Sequence, residues 1–184
     1  SDLDQAGVRY SAIHNVDEET STGGRPVPND LIAELVREFP GRFIGFIGVD
    51  PHKGRQATRE LERAATQLGL KGVVLRPFAQ KIYANDRLFY PIYERCVALD
   101  LPVWIHTSFH WFRQRSIDFG RPVYLDQVAG DFPDLKIIAG HGGWPWINEI
   151  VAVAWRHANV HVDFSAHRPR YLGTHGNSFS HNQS

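Results

Sequence analysis

Two histidines stand at the ends of apolar runs that read as buried strands. His106 closes Pro102-Val103-Trp104-Ile105-His106-Thr107. His141 follows Leu135-Lys136-Ile137-Ile138-Ala139-Gly140 and opens into Gly142-Gly143-Trp144-Pro145-Trp146. Imidazole is the commonest metal ligand and the side chain whose charge changes closest to neutral pH. In parallel α/β folds, ligands and chemistry collect at the carboxyl ends of the strands. Two imidazoles brought there by neighbouring strands predict a metal or acid–base site. The bland alternative for each is a core histidine hydrogen-bonded to backbone.

The elements that must carry them repeat at roughly 25–35 residues, with short β-branched or aromatic runs alternating with amphipathic stretches, as βα units do. Strands are predicted over 10–16, 43–49, 72–75, 102–106, 136–140 and 160–164. Asn29 reads as the cap of a helix over 30–39 with Leu31, Leu35 and Phe39 on one face. Further helices are predicted over 55–68 and 88–99, and near 122–132 and 146–156. Near-continuous apolar strands imply a parallel sheet covered by helices on its outer face. A doubly wound sheet would normally carry a glycine-rich phosphate loop, and neither G-x-G-x-x-G nor G-x-x-x-x-G-K-[ST] occurs. The predicted fold is therefore α/β, of the (β/α)8 TIM-barrel type, with about six of the eight βα units.

The chain has 184 residues, 42% of them hydrophobic and 22% charged, which suits one globular domain. Its formal net charge of +0 gives no footprint for nucleic acid or an anionic membrane. The single Cys96 excludes an intrachain disulfide and falls on an apolar helix face, as core. No apolar run approaches the roughly 18 residues of a membrane span. A cytoplasmic protein acting on a small molecule fits best. The chain opens at Ser1 in mid-pattern, with residues 3–8 reading as a last helical turn stopped by Gly7, and it contains no Met. The barrel domain is expected over 1–173, and the polar, aperiodic stretch 174–184 is expected to be a disordered tail.

Several segments together resemble the amidohydrolase-related proteins of the amidohydrolase superfamily, the branch that includes aromatic-acid decarboxylases and metal-dependent hydrolases. They are Phe43-Ile44-Gly45-Phe46 leading to Val49-Asp50-Pro51, Gly69-Leu70-Lys71-Gly72-Val73, the run from Leu99 to Thr107, the run from Phe132 to Gly143, and that from Asn159 to Ser165. The resemblance covers roughly residues 3–172, with I-H-T and H-G-G-W its most specific motifs. It implies a (β/α)8 barrel with one divalent ion, usually zinc, at the carboxyl ends of the strands. It gives His106 the role of the fifth-strand metal ligand. It places His141 beside the metal as acid or base. The family's His-x-His pair and terminal Gly-Ser-Asp do not occur here, so on this alignment the strands are the second to the seventh. That leaves one clear ligand of four, where a catalytic zinc takes about three from protein.

Other candidates sit around this pair. Arg76 ends the third strand, where some binuclear relatives place a bridging Lys or Glu. A guanidinium has no lone pair to offer, which implies a mononuclear site and a fork for a substrate carboxylate, with a structural ion pair as the alternative. Asp163 ends the sixth strand and is a candidate to orient a metal-bound His. His110, Trp111 and Phe112 follow the fourth strand as pocket wall or lid, and Trp144 joins them as a substrate contact. His14 and Asp50 also end strands, without a family role. His52, His157, His161 and His167 read as surface or structural. Thr107-Ser108 invites a nucleophile reading but has no evident base.

Three functions follow as expectations. The first is a metal-dependent hydrolase that attacks a small carboxylated substrate with metal-activated water. The second is a metal-dependent non-oxidative decarboxylase on the same scaffold. The third is a catalytically incompetent fragment whose open sheet edges favour self-association.

Overall fold

The structure is a computed structural model that describes residues 2–167. Six strands, β1 (Ser11–His14), β2 (Phe43–Gly48), β3 (Val73–Leu75), β4 (Val103–His106), β5 (Ile137–Gly140) and β6 (Val160–Val162), form one sheet in chain order. Every neighbouring pair is parallel. The long helices between them are α1 (Asn29–Glu38), α2 (Arg55–Thr66), α3 (Tyr90–Ala98), α4 (Tyr124–Asp131) and α5 (Ile147–Arg156). Winding in one direction without a reversal of strand order is the barrel pattern; a doubly wound sheet reverses at its switch point.

Strand side chains alternate between faces, and that period divides the molecule. Ile47, Val73, Leu75, Val103, Ile105, Ile137 and Ala139 are buried in the main core with Leu61, Ile92, Tyr93, Cys96, Leu125 and Val128 of the helices. The opposite set, Phe46, Val74, Trp104, His106 and Ile138, lines a cavity on the concave side. Cys96 lies in the core as expected, and burial pushes its thiol up to about 12. Among the described residues no helix is long and apolar enough to cross a membrane.

Three local expectations need correction. Asn29 is the first residue of α1; Pro28 occupies the cap position and no side chain caps the helix there. The Asn29 amide instead reaches the end of β2, accepting from Gly48 N–H at 3.0 Å and donating to Gly48 O at 3.2 Å. The buried face of α1 carries Ile32 and Ala33, whereas Leu31 and Phe39 are each 45% exposed. Gly45 explains the rotation: a Cβ there would lie 3.0 Å from Ile32 and 3.1 Å from Val36, so its absence lets that stripe reach the sheet. Strand β6 also stops at Val162 instead of running to 164. The expected tail over 174–184 lies outside the described residues.

Candidate active site

The cavity, of about 860 Å³, opens at the carboxyl ends of the strands. Arg76, His106, His110, Trp111, Phe112, His141, Trp144 and Asp163, all singled out from sequence, line it.

His106 is delivered by the last position of β4 and is 7% exposed. Its ring meets Phe78 edge-on at 4.5 Å and His141 edge-on at 4.9 Å. Burial pushes its pKa down to about 3, with the positive potential of His141, Arg76 and His110 acting in the same direction. The imidazole is thus neutral at physiological pH, and its buried Nδ1 has no hydrogen-bond partner among the described residues. Two residues earlier on the same face, Trp104 packs over Gly140. A Cβ on Gly140 would lie 2.2 Å from the indole Cζ2, so the strand tolerates only glycine beneath that ring.

His141 follows β5 in a turn where φ is +65° at His141, +64° at Gly142 and +72° at Gly143. Glycine is favoured there because it adopts positive φ without steric cost. Packing requires it too, since a Cβ on Gly143 would lie 2.7 Å from Ile150. His141 Nδ1 lies 3.1 Å from the Ser165 carbonyl oxygen and 2.9 Å from Ser165 Oγ. Burial lowers the His141 pKa, against the opposing pull of the Ser165 carbonyl and the Asp163 carboxylate.

Asp163 was expected to orient a metal-bound histidine, and its contacts are different. Its Oδ2 accepts from Trp104 Nε1 at 2.5 Å and from Ser165 Oγ at 3.0 Å. Its link to His141 therefore runs through Ser165. Burial alone would raise this carboxyl; the hydrogen bonds from Trp104 and Ser165 outweigh it and hold the pKa below the ordinary range.

Arg76 carries the ion pair that was its alternative reading, with Nε 3.1 Å from Glu18 Oε1, and its guanidinium carbon lies 5.0 Å from the centre of the Phe78 ring. Burial, only partly offset by Arg76 and Arg115, raises the Glu18 pKa. After β4, His110 stacks on Phe78 at 4.5 Å and donates from Nε2 to Ser116 O at 3.0 Å. That bond places the hydrogen on Nε2, and the buried Nδ1 of His110 has no partner among the described residues. Trp111 stands at the rim, 74% exposed, with its ring edge-on to Phe109. The Trp144 ring meets Phe109 from another side at 5.4 Å. Neither Thr107 nor Ser108 is a nucleophile. Their hydroxyls donate to Gly140 O at 3.0 Å and Trp144 O at 2.9 Å, tying the β4 loop to the β5 turn.

With this geometry in place, the comparison with known proteins is decisive at the family level. The amidohydrolase family model matches residues 1–183. The chain belongs to the amidohydrolase family. The chain is 30% identical over 140 residues to a gamma-resorcylate decarboxylase of Polaromonas sp., a match covering 62% of this chain and 43% of that protein. It is 30% identical over 164 residues to a 2-keto-4-carboxy-3-hexenedioate hydratase of Sphingobium sp., covering 78% and 48%. Among solved structures, an uncharacterized TIM-barrel protein of Bordetella bronchiseptica superposes with a TM-score of 0.73 at 27% identity, over 88% of this chain and 56% of that one. The 5-carboxyvanillate decarboxylase of Sphingomonas paucimobilis gives 0.61 at 28%, over 85% and 54%. A dihydroxybenzoic acid decarboxylase of Polaromonas sp., solved with manganese and the inhibitor 2-nitroresorcinol, gives 0.51 at 27%, over 72% and 47%. The chain spans about half the length of the relatives it matches.

The neutral imidazole of His106, with a buried ring nitrogen that none of the described residues hydrogen-bonds, has the chemistry of one metal ligand. Among the described residues, however, no group of three or more His, Cys, Asp or Glu could hold an ion. They do not make a complete metal site.

Sequence reasoning missed five residues that shape the cavity. Trp104 shares the strand parity of His106, a signal that was present. His14, set aside for want of a family role, also lines the cavity, its ring 6.3 Å from that of Trp104. Phe78 and Ser165 lie in short segments after strands and gave no periodic signal. His167, read as surface or structural, donates from Nε2 to His141 O at 2.8 Å and also lines the cavity.

Proposed function

We propose that this chain provides the aromatic-acid pocket of a non-oxidative decarboxylase. The observation that carries the reading is the composition of the cavity wall. Aromatic rings from Phe78, Trp104, Phe109, Trp111, Phe112 and Trp144 enclose two neutral imidazoles and the Arg76 guanidinium. A flat ring bearing a carboxylate suits such a wall, with apolar faces for the ring and one charged fork for the acid. The relatives' names add weight, because they describe decarboxylation or hydration, and so favour lyase chemistry over hydrolysis.

In decarboxylation the bond between ring carbon and carboxylate breaks, CO2 leaves, and the electron pair left on carbon takes up a proton. Arg76 is assigned to the carboxylate and His141 to the proton, which it holds or passes at Nε2. Asp163 supports the imidazolium that forms transiently, acting through Ser165. His110, Trp111 and Trp144 bound the ring. His106 would contribute one ligand to a divalent ion. Manganese is the first ion to test, because the solved relative above that holds a metal holds manganese.

The test has two parts. The protein is titrated with hydroxylated benzoates, binding being read from quenching of tryptophan fluorescence. It is then incubated with each acid and manganese, and decarboxylated phenol is sought by chromatography. Saturable quenching and phenol formation are expected. Absence of binding by any aromatic acid would overturn the reading.

A further inference from the structure

We infer that Ser165 is a positioning residue for proton transfer, fixing His141 as the tautomer that carries its hydrogen on Nδ1 and presents the Nε2 lone pair to the cavity. The inference rests on the reading of His141 as the proton-transfer group and adds to it the residue that sets its state.

The argument is one of donor and acceptor accounting. A carbonyl oxygen can only accept, so the contact between His141 Nδ1 and Ser165 O requires the hydrogen on Nδ1. The Ser165 hydroxyl gives its own proton to Asp163 Oδ2, which as an ionised carboxylate can only accept. Its oxygen therefore faces Nδ1 with lone pairs, 2.9 Å away. Both Ser165 oxygens thus demand the same tautomer. None of the described residues hydrogen-bonds Nε2, and the ring lines the cavity. Free histidine in water prefers the hydrogen on Nε2, so the protein imposes the less common form. That form can take a proton at Nε2 and return it to carbon, while the two Ser165 oxygens share the Nδ1 hydrogen throughout.

The segment holding Ser165 is fixed to the turn it serves. Asp163 N–H donates to Ala139 O at 3.0 Å, and Gly142 N–H donates to Asp163 O at 2.7 Å. Ser165 N–H donates to Asp163 Oδ1, and His167 Nε2 donates to the His141 carbonyl at 2.8 Å. The geometry between Ser165 and His141 is thereby set by backbone on both sides, as a group that orients a catalytic base requires.

The test is nitrogen-15 NMR of His141 at a pH where it is neutral, in the wild-type protein, Ser165→Ala and Ser165→Thr. The wild-type and Ser165→Thr proteins should show the hydrogen on Nδ1. Ser165→Ala keeps the carbonyl and loses the second acceptor, so the Nδ1–H form should stay in the majority with a measurable share of the Nε2–H tautomer beside it. Hydrogen on Nε2 in the wild type, or a signal in Ser165→Ala identical to wild type, would overturn the inference. In the decarboxylation assay, Ser165→Ala should lose about tenfold in kcat with KM nearly unchanged, and Ser165→Thr should restore it. Wild-type protein without decarboxylase activity would sink the functional reading alone, because the NMR result judges Ser165 independently of turnover.

Discussion

Two regions of the same sheet edge treat their buried polar groups in opposite ways. At the end of β2, Asn15, Asn29, Asp50 and Gln80 are each 5% exposed or less. Asn15 and Asn29 both accept from Gly48 N–H, at 2.8 and 3.0 Å, and Asn29 also donates to Glu60 at 2.8 Å. Asp50 accepts from Thr20 N–H at 2.9 Å and from His52 N–H at 3.0 Å. Gln80 donates to Val49 O at 2.9 Å and accepts from Arg76 N–H at 3.1 Å. At the end of β4 the balance is left open: His106 and His110 are 7% and 5% exposed, and the Nδ1 of each has no partner among the described residues. A buried polar atom without a partner costs free energy. A polar residue at a strand end is thus no signal by itself. Where its bonds are complete it holds the chain together, and where a lone pair is left over it is available to a ligand.

This contrast can be broken most severely at His106. His106→Leu should lower aromatic-acid turnover about 100-fold or more. It should leave stability to urea unchanged or slightly higher, because it removes a buried atom that has no partner. A loss of stability as large as that of a core truncation would show His106 to be structural and erase the difference between the two regions.

Asn29→Ala should do the reverse. It removes the amide that donates to Gly48 O and Glu60, leaving Gly48 N–H to Asn15 alone, and should cost about 1–3 kcal/mol in urea unfolding, with aromatic-acid binding intact. Loss of binding without loss of stability would contradict the structural role.

Gly140→Ala sharpens the comparison at the functional end. The added Cβ must displace Trp104, at a cost of about 1–3 kcal/mol for overpacking, and the cavity floor moves with it. Fluorescence titration should show weakened aromatic-acid binding. Unchanged affinity would mean that Trp104 does not shape the occupied part of the cavity.

The smallest expected effect is on pH dependence. Burial would raise the Asp50 carboxyl, but the hydrogen bonds from Thr20 and His52 outweigh it and lower the pKa below its ordinary 3.8. A carboxyl depressed in the folded state contributes stability that is present above 3.8 and lost as pH falls through the lower folded value. Asp50→Asn should therefore flatten the acid limb of a stability profile below about pH 4 and change it little at pH 7. An unchanged acid limb would remove Asp50 from the set of structural groups.

The alternation of strand and helix was legible because both periods are local: the apolar runs before His106 and His141, and the amphipathic stretch that became α2, each fit within a dozen or so neighbouring residues. Strand parity followed from the same period and put Trp104 and His106 on one face. The register of α1 was not legible, because the space that turns Ile32 inward comes from Gly45 on the next strand. The candidate residues were found by type and by their place at strand ends. Their partners were not. Ser165 is 24 residues from His141, and Asp163 is 59 from Trp104.

The sequence by itself thus determined the elements, the family resemblance and the identity of the groups able to carry chemistry, since these depend on residue type and short-range periodicity. Only the tertiary structure decided which of those groups are satisfied, because a hydrogen-bond partner is chosen by distance in space and the winding of the sheet brings together residues far apart in the chain. The linkage of His141 to Ser165 and Asp163, the pairing of Arg76 with Glu18, and the unused nitrogen of His106 were all settled at that level.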